Sequence, residues 1–317
     1  MLNLVDLVDN EEKPVTPDEV KDLKLHNVWL DAKDPTDEEI AALAQKIDIS
    51  KNLIKPTELP TFSSIRLVED KAIFYFSSLS GEFDLKTLSS IAIIFAKTFI
   101  ITIRIEDIAA FDRAKQDLHQ AGMDTPSYVL YVLLDEVIRS YFSYVELVDD
   151  RSSRLEETIL EKPTEEVLKE ILGLKSKLTT FNRLLWYERS VLYVLKRSTL
   201  PFITETTKAY LDELIDDLTK QVDSISIFRE VLTDATNSYR AAVSLQLSVR
   251  IEKLSDIVKI LTALTVLVAI PTLIFTYYGQ NFPLQEFKSV EFSYTLTIAT
   301  FILSLFLVFV FKKKGWI

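Results

Sequence analysis

The sequence predicts an α+β cytosolic domain followed by long helices and two transmembrane helices near the C-terminus. Residues 260–278 and 292–311 contain no charged side chain, and each run is close to the ~20 residues that cross the hydrocarbon core of a bilayer. No Pro or Gly occurs between Pro201 and Pro271. That absence predicts one long helix leading into the first apolar run.

Residues 1–125 are predicted to form the cytosolic α/β domain. Short segments rich in β-branched and aromatic residues alternate there with turn-forming residues, which is typical of strands. Residues 36–43 begin with Thr36 and continue with acidic and apolar residues, which predicts the start of a helix. The predicted strands are Val28–Leu30, Ala72–Phe76, Ile91–Phe95 and Phe99–Ile103.

Residues 126–256 are predicted to be helical. A first helix starts at Ser127 and extends to about residue 160, and a second starts at Thr164 and extends to about residue 198. Because Pro163 leaves only a tight turn between them, we expect an antiparallel hairpin.

The third helix of this region is a long stalk from Thr206 to Tyr278, with no stop signal before the membrane. Its apolar residues recur every three or four positions, as in coiled coils. A helix with such a face cannot bury it alone. The stalk therefore predicts partner helices, from this chain or from copies of it.

Residues 257–317 are predicted to be the transmembrane domain, and their flanks predict its orientation. Basic residues mark the cytoplasmic side of a membrane, and they follow the second span at 312–314 and precede the first at 250, 253 and 259. The loop 279–291 has one Lys and two Glu. We therefore expect both termini in the cytoplasm, the more so because the acidic N-terminus lacks a signal peptide's basic region.

Composition excludes several functions. The formal net charge of −11 argues against binding nucleic acid, which requires Lys and Arg against phosphates. There is no Cys, and the two histidines, His26 and His119, are far apart, so a His-based or thiolate zinc site within one chain is not expected. The five glycines are too few and too dispersed for a Gly-rich phosphate-binding loop, and no catalytic motif occurs. We therefore do not expect enzymatic activity.

A polar segment follows the first span. Gly279 is followed by two carboxamides, Gln280 and Asn281, in the sequence Tyr278-Gly279-Gln280-Asn281-Phe282. Irregular backbone at this depth is tolerated when it is buried in protein or lines a watery cavity. The segment therefore offers neutral oxygen acceptors at the mouth of a pore, or it is a simple helix stop with a polar turn.

This segment resembles the YGMNF hallmark of the CorA-type magnesium transporters, with Gln280 in place of the usual Met. Gly279 and Asn281 are retained. The departure at Gln280 matters because relatives with other residues there include zinc transporters. Further stretches that resemble the family are 28–31 with 35–36, 96–102, 256–262, 270–273 and 312–317.

The resemblance implies a homopentamer in the cell membrane, with a cytosolic funnel and a pore lined by the first span. Gly279, Gln280 and Asn281 would form the selectivity filter, with Asn281 holding a hydrated ion. Thr272 and Thr265 would supply polar rings, and Leu261 and Val258 an apolar constriction. Ordinary helix packing is the alternative for these last four residues.

The transported ion would be Mg²⁺, with Co²⁺ or Ni²⁺ as further candidates, entering under the membrane potential without an organic cofactor. The alternatives are a Zn²⁺ or other divalent-metal transporter of the same family, and a membrane-anchored sensor that does not conduct. Cytosolic Mg²⁺ would close the pore by bridging acids of the stalk. The candidates are Asp212, Glu213, Asp216, Asp217, Asp223 and Asp234, for each of which a solvated surface position is the alternative.

Overall fold

The computed structural model describes residues 2–9, 11–55, 62–68, 70–79, 88–121, 125–279 and 290–316. Two compact units make up the chain, Met1–Tyr239 and Arg240–Ile317. The predicted boundaries at residues 125/126 and 256/257 stay predictions.

The first unit contains one mixed sheet of seven described strands in the order β2-β1-β3-β7-β6-β5-β4. Neighbouring strands are antiparallel except for β3 and β7, which are parallel. The strands are β1 (Leu2–Asp6), β2 (Glu12–Val15), β3 (Val28–Lys33), β4 (Ser64–Val68), β5 (Lys71–Leu79), β6 (Leu88–Ala96) and β7 (Phe99–Arg104).

Helices α1 (Pro17–Asp22), α2 (Asp37–Lys46) and α3 (Ala109–Ala121) accompany the sheet. α2 begins where the sequence predicts, because the Thr36 hydroxyl accepts the Glu39 N–H while the Glu39 carboxylate accepts the Thr36 N–H. This reciprocal cap satisfies two backbone donors that the first helical turn leaves unpaired.

The four strands predicted from sequence are confirmed as β3, β5, β6 and β7. Every one of them has a buried run that the β-branched and aromatic residues fill. β1, β2 and β4 were not predicted. β2 and β4 are the edge strands, and their side chains are mostly exposed.

A buried ion pair lies between the parallel strands β3 and β7. The Arg104 guanidinium donates to Asp31 at 3.0 and 3.3 Å, and the two side chains are 3% and 2% exposed. Thr102 donates to the same carboxylate and accepts the Trp29 indole N–H, both at 3.0 Å. Each polar group has a partner, which is the condition for burying such a pair without a large desolvation cost.

Helices α4 (Pro126–Glu161), α5 (Glu165–Arg197) and α6 (Glu205–Tyr278) follow. α4 and α5 are antiparallel, as predicted, since Tyr141 and Tyr144 both contact Phe181 and Tyr141 also contacts Glu188.

The part of α6 that precedes the apolar span packs on the same two helices. It is antiparallel to α5, because the contact pairs Lys196–Asp212, Arg189–Thr219 and Lys175–Thr233 move in opposite directions along the two chains. It is parallel to α4, where the Gln221 amide donates to the Ile138 carbonyl at 2.9 Å and Tyr210 stacks on Tyr131. The partner helices that we expected for the stalk are therefore partly α4 and α5 of the same chain.

The second unit holds the rest of α6 and α7 (Val290–Lys313). Both helices are long and apolar enough to cross a membrane. The end of α6 adjoins the start of α7, where the Tyr278 and Phe292 rings lie 5.7 Å apart. The predicted spans 260–278 and 292–311 fall inside these two helices.

Glu188 is a fully buried carboxyl that joins three elements of the first unit. The Ser77 N–H of β5 donates to Glu188 Oε1 at 3.1 Å, and the Tyr141 hydroxyl of α4 lies 2.9 Å from the same oxygen. Tyr141 also donates to the Ser77 carbonyl. Among the described residues, no Lys or Arg forms an ion pair with Glu188, and Glu188 Oε2 has no hydrogen-bond partner.

These surroundings favour the neutral carboxyl. Burial raises the pKa of Glu188 well above its ordinary range, and the bonds from Tyr141 and Ser77 only partly oppose that rise. A hydroxyl has one proton, so Tyr141 cannot donate to both of its neighbours. A protonated Glu188 supplies the second proton.

We predict that Glu188 makes the first unit less stable as the pH rises. The folded state holds a proton that the unfolded chain releases above the ordinary carboxyl pKa, so stability is lost from that pH up to the raised folded pKa. Glu188→Gln has no proton to lose and should flatten the dependence of the unfolding midpoint on pH above the ordinary carboxyl pKa. Midpoints of the full-length protein in detergent test this, with the exposed Glu157→Gln as control. A slope equal in wild type and Glu188→Gln would contradict it.

Candidate functional site

The residues predicted to line a pore share one face of α6. Val258, Thr265, Thr272 and Gly279 are spaced at intervals of seven residues, and Leu261 lies between the first two. Seven residues are close to two helical turns, so positions at this interval drift by only ~20° per repeat. The helix therefore brings the five positions into one stripe, and all five are exposed in the single chain.

The other side of this segment is the covered one. Ala263 is fully buried, and Ile270, Ile274 and Tyr278 are half-buried, with Tyr278 in contact with α7. Leu261 is 62% exposed, on the side roughly opposite Ala263. Leu261 therefore does not pack against the second span within one chain.

The threonines of the stripe are anchored to their own helix. The Thr265 hydroxyl donates to the Leu261 carbonyl at 2.8 Å, and the Thr272 hydroxyl donates to the Val268 carbonyl at 2.7 Å. Each hydroxyl donates its only proton in this bond, while its oxygen lone pairs remain accessible. The stripe thus presents two acceptor oxygens that suit a cation or the waters around it.

An open concavity of about 1020 Å³ runs along the membrane part of α6, and its lining includes Thr265, Val268, Thr272 and Thr276.

Pro271 lies in the same turn as Thr272. Proline has no N–H, so the Leu267 carbonyl loses its usual helical donor there.

Gly279 ends α6 in a crowded position. Its N–H donates to the Phe275 carbonyl at 2.8 Å. A Cβ at this position would lie 3.0 Å from that oxygen, tighter than ordinary van der Waals contact. The other two filter residues, Gln280 and Asn281, lie outside the described residues, so their predicted role stays a prediction.

The six predicted regulatory acids are dispersed along the stalk. Asp212 pairs with Lys196, and Asp217 pairs with Lys220 at 2.7 Å. Asp216, Asp223 and Asp234 are exposed, as is Glu213, which bonds to Tyr131. Within the described part of the chain, no three His, Asp or Glu side chains are placed to hold a metal ion.

Asp135 of α4 is an acid that the sequence analysis did not single out. Burial raises its pKa, Arg139 opposes the rise through an ion pair at 2.9 Å, and nearby Glu136 and Asp217 add to it. The sequence signal was available, because Asp135 sits among the buried apolar positions of α4.

The fold combines a mixed sheet with a stalk helix that continues into a first apolar span bearing a polar stripe, and a second apolar span follows. This combination defines a membrane transport protein with a large domain outside the apolar spans. A family model described as "CorA-like Mg2+ transporter protein" matches residues 24–313. The chain belongs to this family.

Relatives and solved structures agree with that assignment. The chain is 30% identical over 306 residues to the cobalt/magnesium transport protein CorA of Methanocaldococcus jannaschii, covering 92% of this chain and 91% of the relative. The complete structure of the CorA magnesium transporter from the same organism superposes with a TM-score of 0.70 at 25% identity, over 100% of this chain and 99% of that one.

More distant likenesses show the fold alone. The full-length CmaX protein superposes with a TM-score of 0.70 at 15% identity, over 96% of both chains. The ZntB cytoplasmic domain from Vibrio parahaemolyticus has a TM-score of 0.63 at 11% identity, over 76% of this chain and 97% of that one. The zinc alternative gains no better support from these matches than magnesium does.

We predict opposite outcomes for two glycine substitutions. Gly279→Ala should reduce Mg²⁺ uptake by reconstituted protein, because the new methyl forces the end of α6 away from the Phe275 carbonyl. Gly173→Ala in the middle of α5 has open space around it and should raise stability by about 0.5–1 kcal/mol with unchanged uptake. Uptake assays and unfolding midpoints on both variants measure this. Full uptake by Gly279→Ala would show that the end of α6 adjusts without consequence.

Proposed function

We propose that this protein is a channel that carries Mg²⁺ across the cell membrane into the cytosol. The observation that carries the proposal is the exposed stripe of α6, which keeps alternating steps of four and three residues from the stalk to the end of the first span. Its members are Leu247, Ile251, Leu254, Val258, Leu261, Thr265, Val268, Thr272, Phe275 and Gly279.

This stripe needs other chains. Ile251, Leu254, Val258 and Leu261 are each about 60% exposed, and a 4–3 spacing of apolar residues is that of helices packed in a left-handed coiled coil. Copies of α6 packed around an axis would cover these residues and enclose a path between them. The number five comes from the family resemblance.

The path changes character along its length. Its cytosolic half presents Val258 and Leu261, and an apolar neck of this kind gates by dewetting. Its outer half presents Thr265 and Thr272, and Asn281 is proposed to lie at the mouth. Mg²⁺ gives up its waters reluctantly, so hydroxyl and carboxamide oxygens that bind the hydration shell capture it at low cost.

The membrane potential is a sufficient driving force. A divalent ion gains ~4.6 kcal/mol per 100 mV, twice the ~2.3 kcal/mol for one charge. Lys312, Lys313 and Lys314 at the end of α7 and Arg250 before the first span support cytoplasmic ends for both spans. Entry of the cation is then downhill in an inside-negative cell.

Regulation by cytosolic Mg²⁺ is part of the proposal, through the stalk acids. Because the described part of one chain lacks a three-acid site, a bridging ion would need acids from two copies. Asp216, Asp223 and Asp234 are exposed and available for such a bridge.

Zn²⁺ transport is the second candidate, and the observation that favours it is Gln280. The Gln side chain adds a donor and an acceptor where the family's usual Met offers only a weak thioether acceptor.

Uptake into proteoliposomes at a fixed inside-negative potential tests the function. We expect Mg²⁺ uptake to exceed Zn²⁺ uptake at equal concentration. Asn281→Ala removes a carboxamide from every chain of the assembly. It should lower Mg²⁺ uptake by at least about 10–100-fold, the loss expected when a single hydrogen bond to a charged species is removed. Gln280→Met is the neighbouring control and should retain uptake. Faster Zn²⁺ than Mg²⁺ entry would support the second candidate, and no uptake of either ion would remove both.

The apolar neck predicts a leaking variant. Leu261→Asn should wet the neck and raise Mg²⁺ flux about tenfold at high internal Mg²⁺, the effect of lowering the barrier by about 1.4 kcal/mol. Ile260→Asn changes an equally apolar side chain about 100° around the helix and should leave the closed state tight. Native mass of both variants should correspond to five chains. An assembled Leu261→Asn that still closes would show that the gate lies elsewhere.

A further inference from the structure

The C-terminal end of α7 is held by a specific backbone turn. The Gly315 N–H donates to the Lys312 carbonyl at 3.1 Å, and the Trp316 N–H donates to the Phe311 carbonyl at 2.9 Å. Gly315 has a φ of +67°, the left-handed conformation that glycine adopts without strain. These two bonds and this φ define a Schellman cap.

The cap returns Trp316 onto the helix. Its ring stacks on Phe311 at 5.6 Å with an interplanar angle of 6°, and the Lys314 ammonium lies 5.9 Å from the Trp316 ring. Phe311 is one of only two buried residues among the described positions of α7. The contact between the residues that flank the cap therefore fixes the indole beside the last turn.

Three consecutive lysines lie at this turn, and none of them has an acidic partner among the described residues. Lys312, Lys313 and Lys314 are exposed, and within the described ranges no carboxylate lies at ion-pair distance from any of them. Consecutive helical residues point ~100° apart, so the three ammonium groups spread over about half of the helix circumference. They form a positive collar on a chain of net charge −11.

The position of the collar along α7 matches the membrane interface. The uncharged run 292–311 would span about 30 Å at 1.5 Å per residue, which is the thickness of the hydrocarbon core. Lys312 to Trp316 then lie at the level of the headgroups, where tryptophan and lysine are both favoured.

A free anion is a poor occupant for this surface. The end of a helix exposes carbonyl oxygens and carries partial negative charge, and three flexible lysines on different sides do not converge on one ion. Headgroups arrayed in a plane can contact all three lysines at once, and the indole ring gains from the apolar boundary beneath them.

We propose that Lys312–Trp316, here called the lysine–tryptophan cap, is a binding site for anionic phospholipid headgroups. Gly315 positions the indole, and the lysines supply the charge. The proposal requires that α7 lies in a membrane but does not depend on ion conduction, so its test stands apart from that of the proposed function.

Quenching of Trp316 fluorescence by brominated lipids measures the binding directly. Full-length protein is reconstituted in phosphatidylcholine containing a small fraction of brominated phosphatidylglycerol or brominated phosphatidylcholine, and the Trp316 signal is the difference between wild type and Trp316→Phe. We expect a preference for phosphatidylglycerol on the order of tenfold at low salt, decreasing as salt rises. Equal quenching by both lipids in the wild type would overturn the proposal.

Two sets of variants make the test specific. The triple variant K312Q/K313Q/K314Q should lose the preference, whereas K51Q/K97Q/K162Q removes the same charge from exposed lysines of the first unit and should retain it. Gly315→Ala should weaken Trp316 quenching through backbone strain, and Gly315→Asn, which tolerates positive φ, should keep it.

Competing anions and protein integrity are checked in the same samples. Displacement of brominated phosphatidylglycerol by millimolar inorganic phosphate, at constant ionic strength, would indicate a free-anion site and overturn the lipid assignment. Retained preference in a folded K312Q/K313Q/K314Q variant, with circular dichroism and native mass equal to those of the wild type, would overturn the role of the lysines.

Discussion

The uncovered apolar surface of α6 is the constraint on which the rest of the second unit depends. In water this surface is costly, at roughly 25 cal/mol per Å², and within the described residues α7 is the element that contacts it. α7 occupies the side marked by Ala263 and Tyr278, so the stripe through Leu261 and Thr272 stays uncovered within one chain and is the surface that the proposed assembly would bury. The remaining surface suits lipid. Each side of α6 therefore has its own surroundings, and its side chains suit them.

The first unit shows the complementary requirement, that polar groups in a core need partners. Asp31 and Arg104 satisfy each other and are further bonded by Thr102. Glu188 lacks a basic partner in the described structure, and burial raises its pKa, which favours the neutral carboxyl. Both solutions connect elements far apart in sequence. They define how the sheet, α4 and α5 fit together beyond what apolar contacts specify.

Much of this architecture could be predicted from sequence because its signals are local. Prolines and threonine caps placed the starts of α2, α4 and α5 within two residues, and the β-branched runs revealed the central strands. β2 and β4 were not predicted because exposed edge strands need no apolar pattern. α3 was not predicted although Phe111, Ala114 and Leu118 are buried at helical spacing. The stripe of α6 could be predicted from the seven-residue spacing of Val258, Thr265 and Thr272. Glu188 could not, because a buried glutamate in a helix has the same local sequence as a solvated one.

Pro271 gives α6 a mechanical property that its neighbours lack. Bending an α-helix elsewhere stretches or breaks a hydrogen bond, but at Pro271 the bond to the Leu267 carbonyl is already missing. Thr265 and Thr272 lie on opposite sides of this joint, and both hydroxyls are anchored to carbonyls of their own turn. The Thr265 bond lies wholly before the proline, whereas the Thr272 hydroxyl bonds across it to the Val268 carbonyl. A small change of angle at this proline would therefore shift Thr272 relative to Thr265, and the Thr272–Val268 bond would have to adjust to the bend.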